Sequence, residues 1–211
     1  AARLRDRRAG PLAPDDLHRL FASFAAQASC EHPATIHWLS CLTSDIGEDK
    51  TNQLQVVRRD YFLDNLRSIV ERTGCEHLRR ALLLPWDYAD ALDNQSLHWD
   101  PSEDRRYALQ WHQPSGDPNR KCGGMLGANR LAMEALPLHP LIVTGDSVTT
   151  VGFTGSTTTD TRWTWPIWAN PIPLDAIASL LRHAAIQEAS PDLADLRTAG
   201  LVAACRSRRI L

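Results

Sequence analysis

The chain has 211 residues, 43% of them hydrophobic and 23% charged, with a formal net charge of −2 at pH 7. These values are typical of a globular protein with one large domain or two small ones, and the charge by itself indicates no nucleic-acid partner. The sequence predicts neither a membrane-spanning helix nor a signal peptide, because it lacks a run of about 18 apolar residues and any apolar segment behind its arginine-rich N-terminus.

The first half of the sequence predicts helices, because apolar residues recur there every three or four positions. Asp15 or Asp16 can cap the first helix, Gly74 can end the second as its C′ residue, and Pro85 stops the third. The predicted helices span residues 15–28, 54–72 and 76–84, with a polar loop over 44–50.

Cysteine and histidine residues cluster between the first two predicted helices. Four side chains of the types that bind zinc fall within twelve residues; they are Cys30, His32, His37 and Cys41. Their spacing matches no familiar zinc finger, so we predict no metal and no other cofactor. The five cysteines are odd in number and lack paired spacing, which argues against a disulfide scaffold and favours a reducing cytoplasm as the compartment.

From Trp86 onward, turns and short strands replace the helical pattern. Gly145-Asp146 predicts a hairpin turn, and Ser190-Pro191 has the cap-then-proline pattern of a helix start. The predicted elements are a strand over 107–111, a helix over 128–136, a hairpin of 141–144 and 148–153, a helix over 174–186, another from 190 to Gly200 and a strand over 201–205. The predicted fold class is α+β: a mainly helical region 1–85, then a mixed region 86–211 with a short antiparallel sheet.

The segment Arg162–Trp168 reads Arg-Trp-Thr-Trp-Pro-Ile-Trp and holds three of the seven tryptophans of the chain. Side chains alternate along a strand, so Trp163 and Trp165 share one face. Pro166 lacks a backbone donor and predicts an edge strand or a strand end. The segment is either a wedge in the core, where aromatic residues of strands usually pack, or a recognition surface.

The glycine-rich turn before the predicted helix 128–136 is a candidate anion site. Gly123, Gly124 and Gly127 resemble a phosphate cradle, although the Lys-Ser/Thr pair of a full phosphate loop is missing. Backbone N–H groups of such a turn and of the helix start can bind an anion. The alternative is a turn in which glycine supplies a positive φ.

No strong catalytic signature is present, and we predict a protein that is not an enzyme. Three carboxylates lie close together in the sequence and could converge on a divalent ion, as in a nuclease; they are Asp100, Glu103 and Asp104. The adjacent Arg105 and Arg106 can equally neutralise them as ordinary surface pairs. Elsewhere in this half of the chain, arginines are interleaved with tryptophans, a combination that suits single-stranded nucleic acid.

Six sequence blocks together resemble a known family. They are Trp99-Asp100-Pro101, Asp104–Leu109, Gly127–Ala132, Glu134–Leu138, Gly152–Gly155 and Arg162–Trp168. This set is similar to a protein encoded in type I-G (formerly I-U) CRISPR–Cas loci, described as the helicase–nuclease-extension family or as a large-subunit-like component. The similarity covers roughly residues 75–211.

The resemblance implies a non-catalytic subunit of an RNA-guided surveillance complex that contacts target DNA or its flanking motif and helps recruit the nuclease. Its partners would be the other complex subunits, guide RNA, target DNA and the helicase–nuclease, with no membrane. In such systems guide pairing reads the sequence, while protein reads the backbone and a short flanking motif.

From the chemistry of their side chains, seven residues are predicted to contact nucleic acid. They are Arg105, Arg106, Arg120, Lys121, Asn129, Arg130 and Arg162. Two alternatives stay open: a protein–protein scaffold in which the tryptophan strand docks a partner subunit, and a metal-dependent nuclease that uses Asp100, Glu103 or Asp104.

Overall fold

The computed structural model describes residues 14–28, 32–44, 52–55, 59–91, 97, 99, 123–155, 160–188 and 192–208. Helices fill the N-terminal part of these ranges and small antiparallel sheets follow, so the predicted α+β class is confirmed. Among the described helices, none has the length and apolar character needed to cross a membrane.

Residue contacts divide the chain into two compact units. Unit 1 comprises residues 1–16 and 54–135, and unit 2 comprises residues 17–53 and 136–211. Each unit contains residues from both predicted regions, the mainly helical region 1–85 and the mixed region 86–211. The division into these two regions stays a prediction. Helix α1 (Pro14–Gln27) runs across the first boundary.

Unit 1 is built on three helices and a minimal pair of strands. Its elements are α3 (Arg59–Arg72), α4 (Cys75–Leu83), β1 (Asp90–Ala91), β2 (Gly123–Gly124) and α5 (Leu126–Glu134). Both α3 and α4 pack on α5, and Phe62, Ile69, Leu97 and Leu126 are buried in this unit. The three predicted helices of this unit are confirmed, with ends shifted by a few residues.

The predicted role of Gly74 is wrong. Gly74 lies just before α4 with a φ of −105°, so it is not a left-handed C′ residue of α3. Its N–H donates to His77 Nδ1 at 3.0 Å. The side chain of His77 therefore satisfies a backbone donor at the start of α4, and the short connection between the two helices needs no positive φ.

Unit 2 combines a hairpin, a three-stranded antiparallel sheet and short helices. Its remaining elements are α2 (Pro33–Leu42), a 3-10 helix (Leu136–Leu138), β3 (Leu141–Thr144), β4 (Ser147–Thr150), β5 (Phe153–Thr154), β6 (Arg162–Trp168), α6 (Leu174–Arg182), α7 (Ala184–Gln187), α8 (Leu193–Thr198) and β7 (Leu201–Arg208). The hairpin and the tryptophan strand are confirmed. The single helix predicted over 174–186 is interrupted, because His183 is extended (φ −71°, ψ 122°) between α6 and α7.

Strand β6 is the middle strand of its sheet, in the order β5-β6-β7. β7 pairs along its whole length, whereas β5 pairs only with Arg162 and Trp163. Thr164 N–H donates to Gly152 O at 2.9 Å on the β5 side, and the backbone of Pro166, two residues on, faces the same way. The missing donor of Pro166 thus falls on a side where no described strand pairs with it. The prediction of an edge strand is wrong, because β6 is the middle strand, whereas the alternative of a strand end is confirmed, because β6 ends at Trp168.

A β-bulge in β7 decides which residues face the helices. Ile167 pairs with Ala203 but Trp168 pairs with Leu201, so Val202 is the extra residue. This one-residue shift turns Leu201 to the face where Trp168 lies. There both pack with Ile186 and Leu196 of the C-terminal helices.

Candidate functional site

The glycine-rich turn before α5 already holds a negative group, which the protein itself supplies. β1 and β2 pair antiparallel, with Asp90 opposite Gly124. Asp90 Oδ2 accepts the N–H of Leu126, the first residue of α5, at 2.9 Å. A helix N-terminus favours a nearby anion, so the buried carboxylate of Asp90 occupies the place that the sequence predicted for a phosphate.

Asp90 also joins α4 to this turn. Arg80 Nη1 donates to Asp90 Oδ1 at 2.6 Å, and Arg80 Nη2 donates to Asp87 Oδ1 at 2.5 Å. These hydrogen bonds, that to Asp90 first, raise the pKa of the Arg80 guanidinium. His77 Nε2 lies 3.9 Å from the same oxygen of Asp90. We call this cluster of Arg80, Asp87 and Asp90 the clamp of unit 1. The guanidinium of Arg80 contacts both carboxylates, so each of the three charged groups has a partner within the unit.

Gly127 is a packing glycine and not a turn glycine. A Cβ on Gly127 would lie 2.0 Å from the carbonyl oxygen of His77 and 2.9 Å from Cβ of Ala81, both on α4. Its φ is not positive. The alternative that a positive φ explains this glycine is therefore wrong: it is needed because α4 and α5 cross in close contact.

Two predicted contact residues of α5 are engaged within unit 1. Asn129 is 5% exposed, which places it in the interior and away from any base edge. Arg130 forms an i,i+4 ion pair with Glu134, with Nε and Nη2 lying 2.8 and 2.6 Å from Oε1. Arg130 retains partial exposure at the surface, but its guanidinium already has a carboxylate partner.

Trp163 and Trp165 of β6 lie on one face of the sheet, as predicted, and Trp168 lies on the opposite face. We call the face of Trp163 and Trp165 the outer face. Strand register gives its members: Phe153 of β5, Trp163, Trp165 and Ile167 of β6, and Ala203, Cys205 and Ser207 of β7. The rings of Trp163 and Trp165 are 4.6 Å apart at 32°, and Phe153 stacks on Trp163 at 6.3 Å and 16°. Both tryptophans are half-buried, so they are neither fully in the core nor free.

A buried histidine closes one end of the outer face. The ring of His139 packs edge-on against Trp163 at 5.7 Å, and its Nδ1 donates to the carbonyl of Val151 at 2.8 Å. Burial lowers the pKa of His139 below its ordinary value, so its ring is neutral near pH 7. Trp163 Nε1 is buried without a hydrogen-bond partner in the described part of the chain. The end of the outer face at Trp163 is therefore packed against the interior of unit 2.

The opposite side of the sheet, the inner face, is covered by the C-terminal helices. Thr164 is fully buried there, and Arg206 Nε donates to its Oγ1 at 2.9 Å. Arg206 Nη2 also donates to the carbonyls of Ile186 and Glu188. The hydrogen bonds of the Arg206 guanidinium therefore hold β7 against the end of α7.

Arg162 is the predicted contact residue that the structure places at the surface of unit 2. Its side chain lies on the same face of β6 as that of Thr164 and on the face opposite Trp163 and Trp165. Its side chain is 39% exposed, and Nη2 lies 4.0 Å from Asp160 Oδ1, a long and exposed ion pair. Arg162 thus retains a cationic head that a phosphate could bind.

The remaining predicted site residues fall outside the described ranges. These are Arg105, Arg106, Arg120 and Lys121, together with the carboxylates Asp100, Glu103 and Asp104. Of the cysteine–histidine cluster, Cys30 is also outside, whereas Cys41 is buried and its thiol donates to Trp38 O at 3.2 Å. Burial raises the pKa of Cys41 to about 12. Within the described ranges, no group of three or more ligand-type side chains could hold a metal ion.

No family model, curated protein or solved structure matches this chain. The residues that sequence reasoning missed are Asp90 and Arg80, which build the clamp at the glycine-rich turn. Only the tertiary structure reveals their role, because neither residue lies in the turn that they stabilise. An acidic residue at the start of a two-residue strand carries no local pattern that would indicate a partner 36 positions away.

Proposed function

We propose that this chain is a non-catalytic subunit of an RNA-guided type I CRISPR surveillance complex. It works in the cytoplasm with the other complex subunits, guide RNA, target DNA and the helicase–nuclease. It contacts target DNA or the flanking motif and helps to recruit the nuclease. The proposal rests on the set of sequence blocks that resemble the type I-G family.

The observation that carries the proposal is where those block residues lie in the fold. Gly127 leaves no room for a side chain against α4, and a Cβ on Gly155 would lie 2.3 Å from the Asp160 carbonyl oxygen. Trp99 Nε1 donates to Leu54 O at 2.7 Å, and the ring of Trp99 packs edge-on against Phe62. The shared residues thus fall at positions that the fold of both units requires, and a resemblance of that kind supports a common architecture.

DNA contact in this proposal comes from local cations, since the net charge of the chain is −2. Arg162 is the described example, because its guanidinium is partly exposed and its ion pair with Asp160 is long, at 4.0 Å. Four further residues of the predicted set, Arg105, Arg106, Arg120 and Lys121, lie outside the described ranges, whereas Asn129 is buried and Arg130 is paired with Glu134. Each phosphate contact releases counterions, so binding should weaken steeply with salt.

The first test is reconstitution with the operon neighbours and a guide RNA. The chain should co-migrate with the complex on size exclusion, and omitting it should abolish binding of a labelled target duplex. A complex that forms and binds its target equally well without this chain would contradict the proposal. Magnesium- or manganese-dependent cleavage by the pure chain, abolished in Asp100→Ala, would replace it with the nuclease alternative.

The second test changes the predicted DNA-binding arginines. Arg105→Ala combined with Arg106→Ala should weaken target binding by the complex and reduce the slope of log affinity against log salt by about 0.9 for each phosphate that the variant no longer binds. Arg79→Ala is the matched control, because Arg79 is exposed and paired with Glu76 on α4. Unchanged affinity and slope in a folded double variant would refute the assignment of Arg105 and Arg106 to DNA binding.

A further inference from the structure

The β3–β4 hairpin of unit 2 has two edges, and one of them lies against the rest of the unit. β3 and β4 pair antiparallel, with Leu141 opposite Thr150 and Val143 opposite Val148. On the β4 side, Thr150 is buried and its Oγ1 accepts the N–H of Gln53 at 3.0 Å. β4 also contacts β5. The edge along β4 is therefore adjoined by other parts of unit 2.

The edge along β3 carries unpaired backbone groups. Val151 N–H donates to Pro140 O at 3.0 Å, and hydrogen-bonded pairs alternate along an antiparallel ladder. The even-numbered residues of β3 therefore bond to β4, whereas Leu141 and Val143 direct their N–H and C=O groups outward. Within the described part of the chain, these outward groups have no hydrogen-bond partner. β3 thus presents the donors and acceptors with which another strand pairs.

The residues of β3 do not protect this edge. Natural sheets block open edges with charges, prolines or bulges, but Leu141–Thr144 contains no charged residue. Pro140 precedes the strand, and its missing N–H would face β4, so it leaves the outer edge intact. α2 packs on β3, yet Ile142 is 42% exposed, Val143 is 40% exposed and Thr144 is also exposed. The edge is accessible to a partner.

The chemistry of the edge specifies its occupant. Unpaired N–H and C=O groups in alternation require an extended strand, and a helix cannot pair with them because its own backbone groups bond within it. A nucleic acid is disfavoured as well, since β3 offers no cation to its phosphates. The occupant is therefore a neutral strand with apolar side chains. β3 of a second copy of the chain is such a strand.

Two copies of β3 match each other in one antiparallel register. With Ile142 opposite its counterpart, Leu141 of each copy lies opposite Val143 of the other, and the outward N–H and C=O groups of both residues pair. Ile142 then forms a non-hydrogen-bonded pair, in which opposite side chains lie closest. The same register thus satisfies the unpaired backbone and covers the exposed Ile142.

We propose that the chain forms a two-fold dimer through β3, with a sheet that runs β4-β3-β3-β4 across the two copies. The pairing uses the open edge of both copies, and the β4 edges lie against unit 2, so assembly stops at the dimer. A contact through one short strand is smaller than the roughly 800 Å² per partner of a standard interface. The dimer therefore dissociates on dilution. This inference is independent of the proposed function.

The first test is sedimentation of the purified chain over a concentration series, which should show a reversible equilibrium of monomer and dimer. Val143→Pro removes an outward N–H and should weaken dimer formation by roughly tenfold or more, while thermal melting stays close to wild type because the hairpin does not use that N–H. Val148→Pro is the matched control. Val148 lies opposite Val143, and its N–H also points away from the hairpin but on the β4 side, so dimer formation should not change.

Three results of this test would overturn the proposal. The first is a wild-type chain that stays monomeric at every concentration, which would leave the β3 edge to a strand of another protein. The second is unchanged dimer formation by folded Val143→Pro. The third is a dimer that Val148→Pro dissociates and Val143→Pro does not.

A cross-link tests the register and stays informative if the proline variants fail to fold. Ile142→Cys should form a disulfide between two copies under mild oxidation, because Cα atoms of a non-hydrogen-bonded pair lie about 4.5 Å apart, within the range of disulfides. Thr149→Cys is the control. Thr149 is exposed and lies opposite Ile142 within the hairpin, but its two copies would lie about 14 Å apart, three strand spacings.

Peptide mass spectrometry identifies the linked positions and separates them from links through the native cysteines. A disulfide in Ile142→Cys without one in Thr149→Cys supports the pairing of β3 with itself. A chain that dimerises but forms no link in Ile142→Cys would overturn this register, and equally fast links in both variants would overturn the pairing through β3.

Discussion

Gly127 shows how one missing side chain sets the distance between two helices. In Gly127→Ala the new Cβ would meet the His77 carbonyl oxygen at 2.0 Å, so α4 and α5 must move apart. Overpacking costs about 1–3 kcal/mol, and we expect about 3 kcal/mol because the obstacle is backbone. The shift of the urea unfolding midpoint measures it. Gly74→Ala is the control: its Cβ would lie 3.8 Å from His77 Nδ1, and a destabilisation as large as that of Gly127→Ala would contradict the argument.

Three glycines show what the sequence can and cannot predict for a single residue. Gly145 and Gly200 have φ values of +58° and +80°, and local sequence placed them in a hairpin turn and at a helix end. The sequence around Gly127 suits a turn equally well. Glycine is needed there, however, because α4, some 50 positions earlier in the chain, packs directly against this residue. A close approach between elements leaves no local pattern, so its partner could not be read from the sequence.

At the scale of elements, Asp90 links α4, β1 and α5 through its two carboxylate oxygens. Asp90→Ala should destabilise unit 1 by about 2–3 kcal/mol, because a buried N–H of α5 and part of the Arg80 guanidinium lose an ionised partner. Asp87→Ala removes a carboxylate from the same arginine, but Asp87 is 53% exposed, and the destabilisation should stay below about 1 kcal/mol. Chemical unfolding of both variants measures the difference, and equal values would contradict the clamp.

Elements with a strong local period were predictable, and elements formed by distant contacts were not. Three of these patterns are local: the spacing of apolar residues along α4, the Gly-Asp turn of the β3–β4 hairpin, and the alternation of tryptophans with other residues in β6. α2 was missed because its sequence, Pro-Ala-Thr-Ile-His-Trp-Leu-Ser-Cys-Leu, is apolar on most sides. β1 and β2 are two residues each and exist through pairing across more than 30 positions. At the candidate site, alternation predicted the shared face of Trp163 and Trp165 but not the helices that cover the other face.

At the scale of the whole chain, unit 2 is discontinuous and unit 1 interrupts it. The two segments of unit 2 are joined where the interruption begins and ends. Asn52 Nδ2 donates to the carbonyl of His139 at 2.7 Å and to that of Cys41 at 3.1 Å, and Gln53 N–H donates to Thr150 Oγ1 at 3.0 Å. The chain therefore leaves unit 2 and returns to it at nearly the same place, the arrangement in which insertions are best tolerated.

This arrangement predicts that unit 2 folds without unit 1. Residues 17–53 joined to 136–211 by a short Gly-Ser linker should melt in one cooperative transition, because the junction is already closed by Asn52 and the linker spans little distance. Asn52→Ala should lower the melting temperature of this joined chain, since the buried carbonyls of Cys41 and His139 lose their donor. Circular dichroism and tryptophan emission follow both chains, with residues 17–211 as the reference. A joined chain that lacks a cooperative transition, while the reference melts cooperatively, would show that unit 2 depends on unit 1 to fold.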